Sequence, residues 1–225
     1  MLKAYNNKLN SSGFVQVFCC AFIAIVVLML IFAASAFGGL RNGNGTQIPG
    51  EGLSDIVPPN FASLFTEASQ ASGVPAALIA AIYLTEHHTD TFGEDLSSIN
   101  DTFQDYYGSA CTENGSGAAG PMQFIPSSWP ASKLTDYGIS SPDRCKFRDS
   151  IIGAGFLLAG KVQYDSVADV CKKNSDGSWN MTEECISLWG QAYCGVGGCN
   201  NANCGAPNYL YCEEVVRKYN LVVGT

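Results

Sequence analysis

Twenty-four consecutive residues, Phe14 to Phe37, carry no charge, and only Gln16 and Ser35 among them are noticeably polar. About 20 apolar residues suffice to cross the hydrocarbon core of a bilayer, so this run reads as a transmembrane helix over 14–37. It divides the chain into a tail over 1–13, the span, a linker over 38–54 and a folded domain over 55–225. Lys3 and Lys8 lie on the short side, and no acidic residue precedes Glu51. That asymmetry places the tail in the cytoplasm and the large domain outside, a single-pass arrangement. Ala34-Ser35-Ala36 satisfies the small-x-small rule of a signal peptide. The apolar run is longer than the roughly 7 to 15 residues of a signal core, which favours an uncleaved anchor. The linker is rich in glycine and asparagine and extends about 20 to 25 Å on average, keeping the outer domain close to the membrane.

All 20 acidic residues and nine of the 12 basic ones lie from Glu51 onward. A domain this acidic lacks the basic face that phosphate binding requires, which excludes nucleic acid as a partner. A neutral or zwitterionic polymer is compatible. Of the ten cysteines, Cys19 and Cys20 fall in the apolar run and read as small apolar side chains. Cys111, Cys145, Cys171, Cys185, Cys194, Cys199, Cys204 and Cys212 lie beyond it. An even number in an outward-facing domain predicts as many as four disulfides, in about 105 conceivable pairings that sequence does not rank. The rival is a zinc site from Cys194, Cys199, Cys204 and Cys212, but these lack the tight Cys-x-x-Cys pairs of common zinc knuckles. Adjacent His87 and His88 point to different sides of a helix and do not readily share an ion, so they read as cleft edge or surface. Neither metal nor cofactor is expected.

Helical spacing dominates the outer domain. Phe61, Leu64, Phe65 and Ala68 form one stripe, with Asn60 as the expected N-cap and Gly73 as the stop. Leu78, Ile79, Ile82 and Tyr83 form another along Pro75 to about His87. Asp149 is expected to cap a helix through Leu158 that is apolar nearly all round, as a central buried helix should be. Gly153, Gly155 and Gly160 would admit close neighbours. Asn180 and Glu183 resemble a capping box ahead of Cys185, Leu188, Trp189 and Ala192. Tyr209 to Tyr219 marks a last helix. With no internal repeat and only one short alternating stretch, the fold class is all-α.

Two features carry chemistry. Glu86 lies seven residues after Ile79, and seven steps of about 100° return it to nearly the same face, so its carboxyl projects from the apolar stripe. Burial would raise its pKa toward that of a general acid working near neutrality, whereas a helix-terminal Glu could equally turn to solvent or pair with a base. The second feature is Gly120-Pro121-Met122-Gln123-Phe124-Ile125-Pro126, a poor helix and a poor central strand that suits a rigid exposed wall with Gln123 as its polar handle. Asn114 to Gly120 ahead of it is small and turn-prone, so backbone there can approach a ligand. Trp129 reads as core packing, and Phe124 as either core or wall.

Together these residues resemble a family. Ala80-Ala81-Ile82-Tyr83-Leu84-Thr85-Glu86 and Gly117-Ala118-Ala119-Gly120-Pro121-Met122-Gln123-Phe124-Ile125-Pro126-Ser127-Ser128-Trp129 are similar to the catalytic and second motifs of the transglycosylase SLT-type lytic transglycosylases of the lysozyme-like superfamily. Pro142-Asp143 and Asp149-Ser150-Ile151 continue the likeness, as do Trp189 to Gly195 and the closing helix. The resemblance covers about residues 60–220 and implies a lysozyme-like helical domain acting on peptidoglycan glycan strands. It implies that Glu86 is the single catalytic acid/base, that Gln123 with the backbone of Gly120 and Met122 holds sugar amides, and that Tyr193 contacts the sugar. Phe124 joins this substrate-binding set. Such an enzyme would serve wall remodelling, or open a hole for a secretion or conjugation machine. The chain departs from the pattern at His87, where the family usually has Ser, and at Cys194, where it has Asn. An acidic insert with Asp90, Glu94, Asp95, Asp101, Asp105 and Glu113 also lengthens the interval after Glu86. A lysozyme-type hydrolase would need a second carboxylate, and an inactive glycan-binding scaffold would need none. The insert reads as a solvated loop.

Overall fold

A stripe of large apolar side chains lines the buried face of the first helix of the domain. In the computed structural model, which describes residues 52–103, 111–162, 165–195, 199 and 210–225, α1 runs Pro59–Ser72 and buries Phe61, Leu64, Phe65 and Ala68. It stops at Gly73, whose left-handed φ of 74° lets its N–H reach back to the Ser69 carbonyl. The start differs from the expectation. Pro58 occupies the N-cap position, and the N–H of Asn60 donates to the Asp95 carboxylate at 3.1 and 3.2 Å. The capping oxygen comes from a segment 35 residues away, where a local reading does not look.

Helix α2, Ala76–Glu86, follows Pro75 directly and buries every residue from Ala76 to Thr85. It is the helix enclosed on all sides, the place sequence gave to 149–158. Helix α3 is Ala131–Asp136 and α4 is Phe147–Lys161. Two apolar residues of α4, Phe156 and Leu157, are only partly covered. Asp149 does not cap α4 but sits inside its first turn, buried, accepting from the Asp143 N–H at 3.0 Å. Helix α5 is Asp165–Val170 and α6 is Glu183–Cys194. Thr182 caps α6 in place of Asn180, its hydroxyl accepting from the Cys185 N–H at 3.2 Å. The closing helix, α7, is Tyr211–Val223.

α2 is held between α1, α4 and α7. α6 leans on α4, α5 and α7, while α3 lies on α4 and α4 backs α1. Among the described residues there is no strand, only isolated bridges such as Ala119 with Phe124. Phe61, Phe65, Tyr83 and Phe92 form an aromatic cluster with centroids 5.3 to 6.1 Å apart. Through Phe92 this cluster fastens the acidic segment to the core. Two of the three expected close approaches are present: a Cβ on Gly153 would stand 2.8 Å from the Trp129 ring, and one on Gly155 would stand 2.7 Å from the Ser72 hydroxyl. Gly160 faces nothing within 4 Å.

Cysteines pair as Cys111–Cys145, Cys171–Cys185 and Cys199–Cys212. Cys194 is disulfide-bonded as well. Cys204 lies outside the described residues, as do the whole segment over 14–37 and most of the linker. No helix among the described residues is long and apolar enough to cross a membrane. Leu53 and Ser54, read as the end of the linker, belong to the folded domain: Leu53 packs on the core and the Ser54 N–H donates to the Val222 carbonyl at 2.8 Å.

Removing the distant cap in Asp95→Ala is expected to lower stability by about 1 kcal/mol, the usual cost of a lost N-cap. Asp95→Asn, which keeps an accepting oxygen, should lose less than half of that in the same denaturant titration.

Candidate active site

The wall segment is a tight turn held from several sides. Ala119 and Phe124 exchange both backbone hydrogen bonds, at 3.0 and 3.1 Å, and close a loop in which Gly120 has φ 80° and Gln123 φ 49°. Gly120 is obligatory, because a Cβ there would lie 1.8 Å from the Arg144 carbonyl oxygen. The Arg144 guanidinium donates to the carbonyls of Gly117 at 3.0 Å and Phe124 at 2.8 Å and pairs with Glu113. Asn114 orders the approach, its side-chain oxygen accepting from the N–H groups of Ser116 and Ala118 at 2.9 and 3.0 Å. The Cys111–Cys145 bond ties the base of this loop to the segment that carries Arg144.

This wall faces the ends of four helices across a cleft of about 710 Å³. Thr85, Glu86 and His88 come from the end of α2, Leu157 and Lys161 from α4, Tyr193 to Gly195 from the end of α6, and Tyr211 from the start of α7. Asn114, Ser116, Ala118, Gln123, Phe124, Ile125 and Ser128 complete the lining. Of the residues expected to form the site, Glu86, Gln123, Phe124 and Tyr193 therefore meet in one cleft. Gly120 and Met122 lie behind it. The Gly120 carbonyl accepts from the Gln123 side chain at 2.9 Å. Met122 is fully buried, its N–H donating to the Ser150 hydroxyl at 3.3 Å and its carbonyl accepting from Tyr193 at 2.7 Å. Phe124 serves as both core and wall, 1% exposed and edge-on to Trp129 at 5.0 Å.

Glu86 is the last residue of α2 and is partly buried. Desolvation pushes its carboxyl up to about 7, outweighing the opposing effect of the Tyr211 hydroxyl, which donates to Oε1 at 2.5 Å. Burial, aided by the Glu86 charge, drives the Tyr193 phenol well above its usual range. Tyr193 thus remains a hydrogen-bond donor at physiological pH. Tyr211 was missed by sequence reasoning. The signal available was its place at the head of an amphipathic helix, with Cys212 beside it, but nothing local showed that it faces α2.

The described acidic residues of the insert are mostly exposed, and several of them are engaged by neighbours. Asp90 pairs with Arg217 at 2.6 Å and with Lys218, Asp95 caps α1, and Asp101 accepts from Ser97 and Ser98, each at 2.9 Å. The two pairings hold the Asp90 carboxyl at about 2. Glu113 is engaged by Arg144, and Asp105 lies outside the described residues. Glu86 is the only carboxylate among the described residues lining the cleft. His87, read as cleft edge or surface, is instead packed against Tyr83 at 4.5 Å and Phe103 at 5.2 Å, and its Nε2 lies 2.7 Å from the Pro121 carbonyl. Burial lowers its pKa, so the neutral ring with Nε2–H donating is the form present at neutral pH. His88 is exposed and does line the cleft.

Comparison with models of protein families, with characterised proteins and with solved structures finds no match to the chain.

The raised pKa of Glu86 makes stability depend on pH. Its ordinary value is 4.5 and its folded value about 7. Its favourable contribution is therefore complete below pH 4.5 and fades as pH rises to about 7, because the folded state then has to hold a desolvated charge. Glu86→Gln removes that burden and is expected to melt higher than the wild-type protein at pH 8, with little difference at pH 4. Equal melting shifts at the two pH values would show that the carboxyl is well solvated. Tyr211→Phe should raise the Glu86 pKa further, visible as an upward move of its carboxyl titration by NMR.

Proposed function

We propose that this protein is a membrane-anchored peptidoglycan lytic transglycosylase with a lysozyme-like helical domain on the outer face of a bacterial membrane. The observation that carries the reading is a single cleft carboxyl, raised to about 7 and hydrogen-bonded by Tyr211, facing a rigid turn that presents Gln123. A group with that pKa is protonated often enough near neutrality to act as an acid and basic enough to take a proton back. Glycoside hydrolysis ordinarily uses two carboxyl groups about 5 to 9.5 Å apart. Among the described residues the cleft has one, which favours an intramolecular nucleophile.

In the proposed reaction Glu86 donates its proton to the glycosidic oxygen between N-acetylmuramic acid and N-acetylglucosamine, and the C1–O bond breaks. The resulting carboxylate then accepts the proton of the muramic acid C6 hydroxyl as its oxygen bonds to C1. A 1,6-anhydro ring forms, water is not consumed, and Glu86 is again protonated. Tyr211 steadies the carboxylate between the two steps. Gln123 offers an amide that can pair with sugar N-acetyl groups, and Phe124 and Tyr193 give an apolar backing to the sugar ring.

Full-length protein in detergent, incubated with purified peptidoglycan, is expected to release fragments lighter by one water and lacking a reducing end by mass spectrometry. Glu86→Gln should abolish release by at least about 100-fold while retaining sedimentation with the polymer, the scale expected for loss of general acid catalysis. Reducing-end fragments would establish a hydrolase instead, and polymer binding without fragments would establish a scaffold. The alkaline limb of the rate profile should fall with a midpoint near 7.

A further inference from the structure

The cleft wall is suspended by its carbonyl oxygens. Four of them accept from side chains, one within the turn itself and three rooted in other parts of the domain. The Gly120 carbonyl takes the Gln123 amide, the Pro121 carbonyl takes His87, the Met122 carbonyl takes Tyr193 and the Phe124 carbonyl takes Arg144. Among these donors His87 is covalently adjacent to Glu86. One peptide bond and one hydrogen bond of 2.7 Å therefore join the acid to the turn that displays Gln123. No other side-chain bond in the wall offers so short a path.

The imidazole is itself immobilised. Tyr83 covers it from one turn earlier in α2 and Phe103 from the insert, whose backbone is fixed by the Phe103 N–H donating to the Cys145 carbonyl at 2.7 Å. Because Cys145 is bonded to Cys111 and follows Arg144, the same frame that holds the ring also holds the far side of the wall. Pro121 is buried, so its carbonyl has little recourse to water if the donor is lost.

We infer that His87 is a positioning residue that sets the separation between the proton of Glu86 and the sugar-holding amide of Gln123. The inference rests on the reading of Glu86 as the acid. A sugar gripped by Gln123 is presented to Glu86 at a distance fixed by this bond, and a displacement of about 1 Å in such geometry costs about 100-fold in rate. The ring acts as a donor and not by titration: imidazole and imidazolium both carry a proton on Nε2 when it faces a carbonyl.

The test compares His87→Phe, which keeps ring packing and removes the donor, with His87→Gln, which restores an amide N–H, and with Val57→Ala, a core change away from the cleft. In full-length protein acting on purified peptidoglycan, His87→Phe is expected to lower kcat 10- to 100-fold with little change in KM and no change in the midpoint of the alkaline limb. His87→Gln should recover much of that loss. Val57→Ala, matched in melting temperature, should cleave normally. A rate loss in Val57→Ala equal to that in His87→Phe, or a shifted midpoint in His87→Phe, would overturn the inference. Should the wild-type protein release no fragments, the functional reading fails, and amide exchange still decides the geometry. The Ala119 and Phe124 N–H groups are expected to exchange faster in His87→Phe and to be restored in His87→Gln, while unchanged exchange would show that His87 does not hold the wall.

Discussion

The complete burial of Ala76 to Thr85 imposes the geometry of the cleft. A helix apolar on every face has no solvent side, so neighbours must enclose it, and α1, α4 and α7 do so. Enclosure ends only where the sequence turns polar, and the first polar residue after the apolar run that is not bonded back into the helix is Glu86. Thr85 just before it satisfies its hydroxyl on the Ala81 carbonyl at 2.8 Å. The carboxyl therefore emerges at the rim of the core, desolvated enough to be raised to about 7 yet open to the cleft. The position of the acid follows from where an apolar helix runs out.

The other wall solves a different problem. A turn containing two prolines cannot build a continuous ladder, and its carbonyls would be left without donors. Side chains supply the donors instead, from α2, α6 and the segment before α4. Gly120 makes the arrangement possible by letting the turn pass against the Arg144 carbonyl, where any Cβ would collide. The shape of the wall is thus encoded at positions distributed along the chain.

That distribution explains what was legible in sequence. The stripes of α1 and α2 were readable because helical packing repeats every three to four residues, and Gly73 and Gly153 were readable because glycine has few other uses there. Caps were not: Asn60, Asp149 and Asn180 each had the right chemistry beside a helix, yet Pro58, Lys146 and Thr182 hold the N-cap positions. A cap such as Asp95 arrives through the tertiary fold, and local spacing carries no trace of it. Glu86, Gln123, Phe124 and Tyr193 were placed together through a resemblance of motifs. Tyr211 was lost because a tyrosine at a helix start looks the same whether it faces solvent or an acid.

Several of the disulfide-bonded cysteines stand beside the cleft. Cys111–Cys145 closes the wall loop, Cys194 ends α6 at the cleft, and Cys199–Cys212 reaches the first turn of α7. A cross-link limits the freedom of the unfolded chain and so stabilises the segments it joins without requiring a larger core. Its placement also bears on the site. Tyr211 precedes Cys212 directly, so fixing that cysteine fixes the hydroxyl that meets Glu86. Desolvating a carboxyl works against folding at neutral pH, and a domain that accepts this cost at its cleft gains from having the surrounding segments covalently restrained.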